Sequence, residues 1–282
     1  MSGPTFTPAT NAPLAGLLQL TTDVDSRISV LVSDGTGSWE RDFYDYGPTH
    51  SETLLGFKPG QTNVIQVTVY DKERNAYTAP QLLQFVTTPL PADFPVFNVL
   101  TSEPSQMEPG YMSFIIANRA GTTTNYITMM DSSGNVVWYR PAVLSTDNEA
   151  RQLDDGDLFM EQQSPSNDFV EINMLGETVR TWYPPAGYPV NAHEGVVTGH
   201  GTILYLSDVS EVVSNFPSND TVSNASLKTV SVDDNPVVEI SFTNSALLNA
   251  WSPLALLDPT RVTYLTYGIA SGSPVGVDSE HA

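Results

Sequence analysis

The hydrophobic pattern of this chain has the period of strands, not of helices. In "RISVLVSDGTG" the apolar residues Ile28, Val30 and Val32 share one face and run into a turn. "NVIQVTVYDKERNAY" does the same with Ile65, Val67 and Val69. Between them, "LLGFKPGQTN" breaks at the turn pair Pro59-Gly60. Helical periodicity is nearly absent, so the pattern predicts an all-β chain. The first strands predict a small Ig/fibronectin-like β-sandwich over residues 1–90. "TTPLPADFP", Thr87 to Pro95, carries three prolines and reads as a stiff linker. A second domain is expected over residues 91–282.

That second region repeats itself. "TMMDSSGNVVWYRP" (Thr128 to Pro141) matches "EINMLGETVRTWYPP" (Glu171 to Pro185) and, more weakly, "TVSVDDNPVVEISFT" (Thr229 to Thr243). Each reads as a strand, a tight turn and a second strand. Gly134 and Gly176 hold matching turn positions 42 residues apart. A second motif interleaves: "ARQLDDGDLFMEQ" pairs with "EGVVTGHGTILYLSD", and Gly156 stands 45 residues before Gly201. A period of 40–45 residues with four short strands per unit predicts β-propeller blades. They fall at Phe94–Pro141, Asn148–Pro185 and His193–Thr243, with Ser210–Asn224 as a long loop in the third. A propeller closes with four to eight blades. About three are present, so an incomplete propeller is expected, with another blade beginning at His281.

Composition narrows the partners. Eleven Lys and Arg against 32 Asp and Glu leave a net charge of −21. Such a surface repels phosphate backbones and anionic lipid, which argues against nucleic acid and membrane partners. It suits a periplasmic or extracellular protein or a salt-adapted one, and a homo-oligomer is a further expectation. There is no cysteine, hence no disulfide or thiol chemistry. No apolar run approaches a membrane span. The opening "MSGPTFTPATNAPLAGLLQL" lacks a basic segment and does not read as a signal peptide.

The candidate chemistry rests on few residues. Four histidines occur: His50, His193, His200 and His281. His193-Glu194 precedes the expected strand at Val196-Val197, at the start of a blade, where a polar pair would face the central channel. His281 stands in a comparable position, and the two could converge at one end of that channel. The competing expectation is that each bonds only to loop carbonyls. "HEGVV" is not a zinc motif, because Val197 stands where H-E-x-x-H needs its second histidine. No metal site and no cofactor are expected. His200, between two glycines, reads as an exposed turn residue and His50 as a surface residue of the first domain.

Several motifs in order resemble the bacterial aryl-sulfate sulfotransferases, from about Pro13 to the last residue. "EPSQMEPGYMSFIIANR" followed by "YITMMDSSGNVVWYRP" resembles that family's opening blade. "RQLDDGDLFM" resembles its L-x-N-G-N-L-L segment, "NAHEGVVTGHGTILYLS" the segment beginning H-H-D/E, and "DSEHA" the start of D-W-x-H-x-N. The resemblance implies a six-bladed propeller and a sulfuryl transfer that needs no nucleotide donor. In it a histidine accepts the group from an aryl sulfate donor and passes it to a phenolic acceptor. By motif, the histidines that support the sulfuryl group fall on His193 and His281, with Glu194 beside the substrate. The accepting histidine and a supporting arginine are expected past residue 282, so the 282-residue chain is expected to be inactive. Ala192, Ser279-Glu280 and Gly199-His200-Gly201 depart from the pattern. Glu194 and Glu280 would raise the proton affinity of their histidines, which suits a cation that binds sulfate. A non-catalytic propeller used for binding at the cell surface is the alternative.

Overall fold

The computed structural model describes residues 2–116, 124–142, 150–162, 167–217, 227–233 and 235–252. These residues form strands and one 3-10 turn, Pro104–Gln106, with no α-helix among them. The chain divides into two compact units, Met1–Phe159 with Glu171–Arg180 and Met160–Val170 with Thr181–Ala282.

Six strands open the first unit: β1 (Ser2–Pro8), β2 (Gly16–Ser33), β3 (Ser38–Leu54), β4 (Thr62–Asp71), β5 (Ala76–Thr78) and β6 (Leu83–Val86). They form one antiparallel sheet that curls as a half-barrel. Its curvature is set in β2. The first half of β2 pairs with β1 on one side and β3 on the other, while Ser26–Ser33 pairs with β3 and β4. The ladder slips between Thr21 and Ser26, the kind of irregularity that bends and twists a strand. Leu18 and Leu20 from one half and Ile28, Val30 and Val32 from the other consequently reach one core. Phe57 anchors that core, with ring centroids 5.7 Å from Phe6, 4.9 Å from Phe85 and 5.7 Å from Trp39.

The proline-rich segment is packed at both ends. The Thr87 hydroxyl donates to the Lys58 carbonyl at 2.6 Å and accepts from the Gln61 N–H at 2.9 Å. Phe94 is buried against Tyr126 and Tyr139, at 4.9 and 5.6 Å between ring centroids. Tyr126 donates to Asp93 at 2.7 Å, and burial first, then that bond, pushes its hydroxyl pKa up to about 12.

His50 corrects the sequence expectation of a surface residue. It is only 4 % exposed. It pairs opposite Leu20 on β3, in phase with buried Leu54, and its Nε2 lies 3.3 Å from the buried Ser26 hydroxyl. The strand continues through Gly47-Pro48 and its two-residue period turns His50 inward.

Two of the three repeated segments, Thr128–Pro141 and Glu171–Pro185, form hairpins as expected; in the third, Thr229–Thr243, the strands Leu227–Asp233 and Val237–Ser241 belong to different sheets and do not make a hairpin with each other. β7 (Met112–Ile116), β8 (Asn125–Met130) and β9 (Val136–Ala142) make a three-stranded antiparallel sheet. β10 (Ala150–Gln152), β11 (Leu158–Gln162), β12 (Asp168–Ile172) and β13 (Thr178–Trp182) make a four-stranded one in chain order. The fourth sheet begins with β14 (Val190–Val197) and β15 (Thr202–Ser207). A hairpin, β16 (Ser210–Pro217) and β17 (Leu227–Asp233), is then inserted before β18 (Val237–Ser241) and β19 (Leu247–Trp251), and β15 pairs with β18 across it. The expected long loop at Ser210–Asn224 is therefore a strand over Ser210–Pro217. "SEVVSNFP" sets Val212 and Val213 side by side among polar and turn-forming residues, so the alternation that marks a strand is missing from its sequence. Residues 218–224 of that expectation lie outside the described residues.

One turn geometry recurs. In Asp131–Asn135, Leu153–Asp157, Asn173–Glu177 and Thr198–Thr202 the first N–H donates to the fifth carbonyl, and the fourth residue's N–H returns to the first carbonyl. That fourth residue is always glycine, Gly134, Gly156, Gly176 or Gly201, with φ between 74° and 96°, where a side chain is disfavoured. Two tryptophans recur as well. Trp138 at the end of one sheet donates to the Met174 carbonyl at 2.8 Å. Trp182, 44 residues later, donates to the Phe242 carbonyl at 2.7 Å. Both acceptors sit in the turn before the last strand of the following sheet, β12–β13 and β18–β19 respectively.

Candidate functional site

The edge strand β14 does not run evenly. Val190 pairs with Ser207 and Gly195 with Tyr205, so five steps along β14 face two along β15. Three residues are extra, and the stretch Asn191-Ala192-His193-Glu194 leaves the ladder as a wide bulge. Bulges of this kind re-aim side chains and gather beside active sites. The neighbouring strand supports it. The Asn167 amide donates to the Val190 carbonyl at 3.4 Å. A Cβ on Gly195 would stand 2.3 Å from the Phe169 ring, and that ring packs on Tyr205 at 5.4 Å. Only glycine lets the strand resume its pairing so close to Phe169.

Beside the bulge lies a group of acids. The Asn191 amide donates to Asp208 at 2.5 Å. Asp208 and Asp168 both act on Glu161, whose pKa is pushed up to about 8, chiefly by burial and then by those two carboxylates. Glu161 and Asp168 are 6 % and 4 % exposed. Glu161 therefore keeps its proton at neutral pH, and a neutral carboxyl can donate a hydrogen bond where a carboxylate would repel an anion. Sequence reasoning missed these residues. The available signal was an acid that directly follows the apolar run "LFM" in "LFMEQ", where burial opposes a charge.

The residues expected from sequence are placed as follows. His193 and Glu194 lie in the bulge, inside β14 rather than before it; their side chains are outside the described residues. His281 lies outside the described residues altogether. His200 is exposed in its turn, as expected, with its N–H donated to the Thr198 hydroxyl at 3.2 Å. A separate set of carboxylates, Asp155, Asp157 and Glu171, brings oxygens within 4.8 Å of one another. No helix among the described residues is long and apolar enough to cross a membrane.

Compared with known proteins, residues 98–281 match the family described as arylsulfotransferase (ASST). No curated protein matches the chain.

Proposed function

The chain belongs to the arylsulfotransferase family, and on that premise we propose that it serves the transfer of a sulfuryl group from an aryl sulfate to a phenol through a histidine intermediate. The family match over residues 98–281 is the observation that carries the reaction class. His193 and His281 take the supporting roles, donating hydrogen bonds to the sulfuryl oxygens as the bond to the leaving phenolate breaks. Glu194 orients the imidazole and touches the substrate. The bulge at Asn191–Glu194 supports this reading, because it frees these residues from the ladder beside a carboxyl group kept neutral. In a chain of net charge −21, neutralising one acid beside the site lowers the barrier to an incoming anion.

We read the sheets from β7 to β19 as about three blades of a six-bladed propeller over residues 91–282, and residues 1–90 as an Ig/fibronectin-like sandwich. Three features support the propeller part of that reading: the recurring turns, the recurring tryptophan bonds, and the contact between β7 and β10, the first strands of successive sheets. The acidic, cysteine-free composition fits a periplasmic or extracellular setting.

The motifs this sequence matches supply no sulfuryl-accepting histidine, so the test is binding first and turnover second. Titration of the 282-residue chain with 4-nitrophenyl sulfate is expected to show binding that His193→Ala weakens about tenfold or more, the loss of one charge-assisted hydrogen bond, with an unchanged melting temperature. Equal binding by the variant would remove His193 from the site. No binding by the unaltered chain would favour a non-catalytic interaction protein. Catalytic release of 4-nitrophenol in the presence of a phenol would mean that the nucleophile is already in these residues.

A further inference from the structure

We propose that the turn between β10 and β11, closed from the side by Glu171 on β12, is a binding site for a divalent cation, and that the ion is Ca2+. The sequence alone predicted no metal, and the inference is independent of the sulfuryl-transfer reading.

The three ligands come from "LDDGD" and "FVEI". Asp155 is exposed, Asp157 partly so, and Glu171 is buried at 5 % exposure. One oxygen from each lies within 4.8 Å of the others. Oxygens sharing a single Ca2+ at about 2.3–2.6 Å can stand up to about 5 Å apart. The three carboxylates already stand within the span of one ion.

Glu171 is the observation that asks for a ligand. Its Oε2 has no hydrogen-bond partner among the described residues and almost no contact with solvent. Among the described residues its neighbour of opposite charge is Arg180, whose Nε is 3.9 Å away, too far for a hydrogen bond. A carboxylate so deeply buried is costly unless a cation or donors meet it. Beside that distant guanidinium, the groups that face it are two more carboxylates.

The sister turns show that this arrangement is not a property of the turn itself. In the other three, the first and fifth side chains close on each other: Asn135 on Asp131 at 2.9 Å, Asn173 on Glu177 at 3.0 Å, and Thr198 on Thr202 at 2.8 Å. Here the first residue is Leu153, which has nothing to offer, and Asp157 is left with its carboxylate toward Asp155 and Glu171. Asp155 uses Oδ1 to accept the Asp157 N–H at 3.1 Å, which keeps both acids on one side of the turn. Three carboxylates with an exposed side left for water and carbonyl oxygens suit the six to eight ligands of Ca2+; Mg2+ takes fewer carboxylates in a tighter octahedron.

Calorimetric titration of the EDTA-treated 282-residue chain with CaCl2, in 150 mM NaCl, tests this. The expected result is one site with a Kd on the order of 10⁻⁴ M, the range of extracellular Ca2+ modules. Asp157→Asn and Glu171→Gln should each weaken it at least about tenfold, while circular dichroism checks that both remain folded. Asp154→Asn, an equal charge change one residue outside the cluster, should leave it intact. The absence of saturable binding would overturn the proposal. So would equal losses in Asp154→Asn and Asp157→Asn, since Ca2+ would then be only a counterion to a diffuse acidic surface. Tighter binding of Mg2+ than of Ca2+ would overturn the choice of ion.

Discussion

Glu161 holds its proton because burial, Asp208 and Asp168 all oppose its charge. The linkage has a definite sign. An unfolded glutamate ionises near pH 4.5, while the folded one ionises near pH 8. Between those values the folded state binds the extra proton, so stability falls as pH rises through that window and levels off above it. Each pH unit within it costs the fold at most about 1.4 kcal/mol. Glu161→Gln keeps the shape and removes the ionisation. The variant is expected to match the parent near pH 4.5 and to be more stable at pH 8, by chemical denaturation at both values. A parallel pH profile for the two proteins would mean that Glu161 is ionised in the fold. The expectation from sequence fell on His193 and Glu194 because histidine beside an acid is visible in a string of letters. The bulge, Glu161, Asp168 and Asp208 were not visible, since they meet only when β11, β12 and the end of β15 are brought together.

At the scale of elements, the recurring tryptophans carry more than their own burial. Trp138 and Trp182 are each 1 % exposed and each donates its indole N–H to a carbonyl in the next sheet's turn. Trp182→Phe keeps much of the ring but leaves the Phe242 carbonyl without that donor. A loss of about 1–3 kcal/mol is expected, from the lost part-buried hydrogen bond and a smaller ring. Trp182→Ala should lose about 3–5 kcal/mol. Urea unfolding measures both; equal effects of Phe and Ala would show that the hydrogen bond, not the ring volume, dominates. The two-residue and 42-residue periods made the repeated hairpins and their glycine turns legible. They did not reveal the hairpin of β16 and β17, because "SEVVSNFP" lacks the apolar alternation that marks a strand packed on a core.

For the whole molecule, charge is the property most open to test. A net charge of −21 with only 11 basic residues makes self-repulsion a standing cost of the compact state. Raising NaCl from 10 to 500 mM shortens the screening length from about 30 Å to about 4–5 Å. The melting temperature is therefore expected to rise by a few degrees, on the order of 1 kcal/mol. A fall with salt would mean that local pairs such as Lys72–Asp25, at 2.7 Å, outweigh the net repulsion.

What the sequence determined by itself was whatever depends on neighbours along the chain: the two-residue alternation, the glycine at the fourth position of each turn, the repeat, and the motifs that mark the family. Steric limits on φ and the pleat of a strand act within a few residues, so they can be read locally. The tertiary structure alone decided where alternation pauses and which charges meet. His50 turned inward because its strand continued past Gly-Pro and set its phase opposite Leu20. Asn191–Glu194 left the ladder, which resumes at Gly195 where the backbone passes against Phe169. Glu161 became neutral, and Glu171 came to face Asp155 and Asp157, because burial and electrostatic proximity are properties of space, and residues distant in sequence supply both.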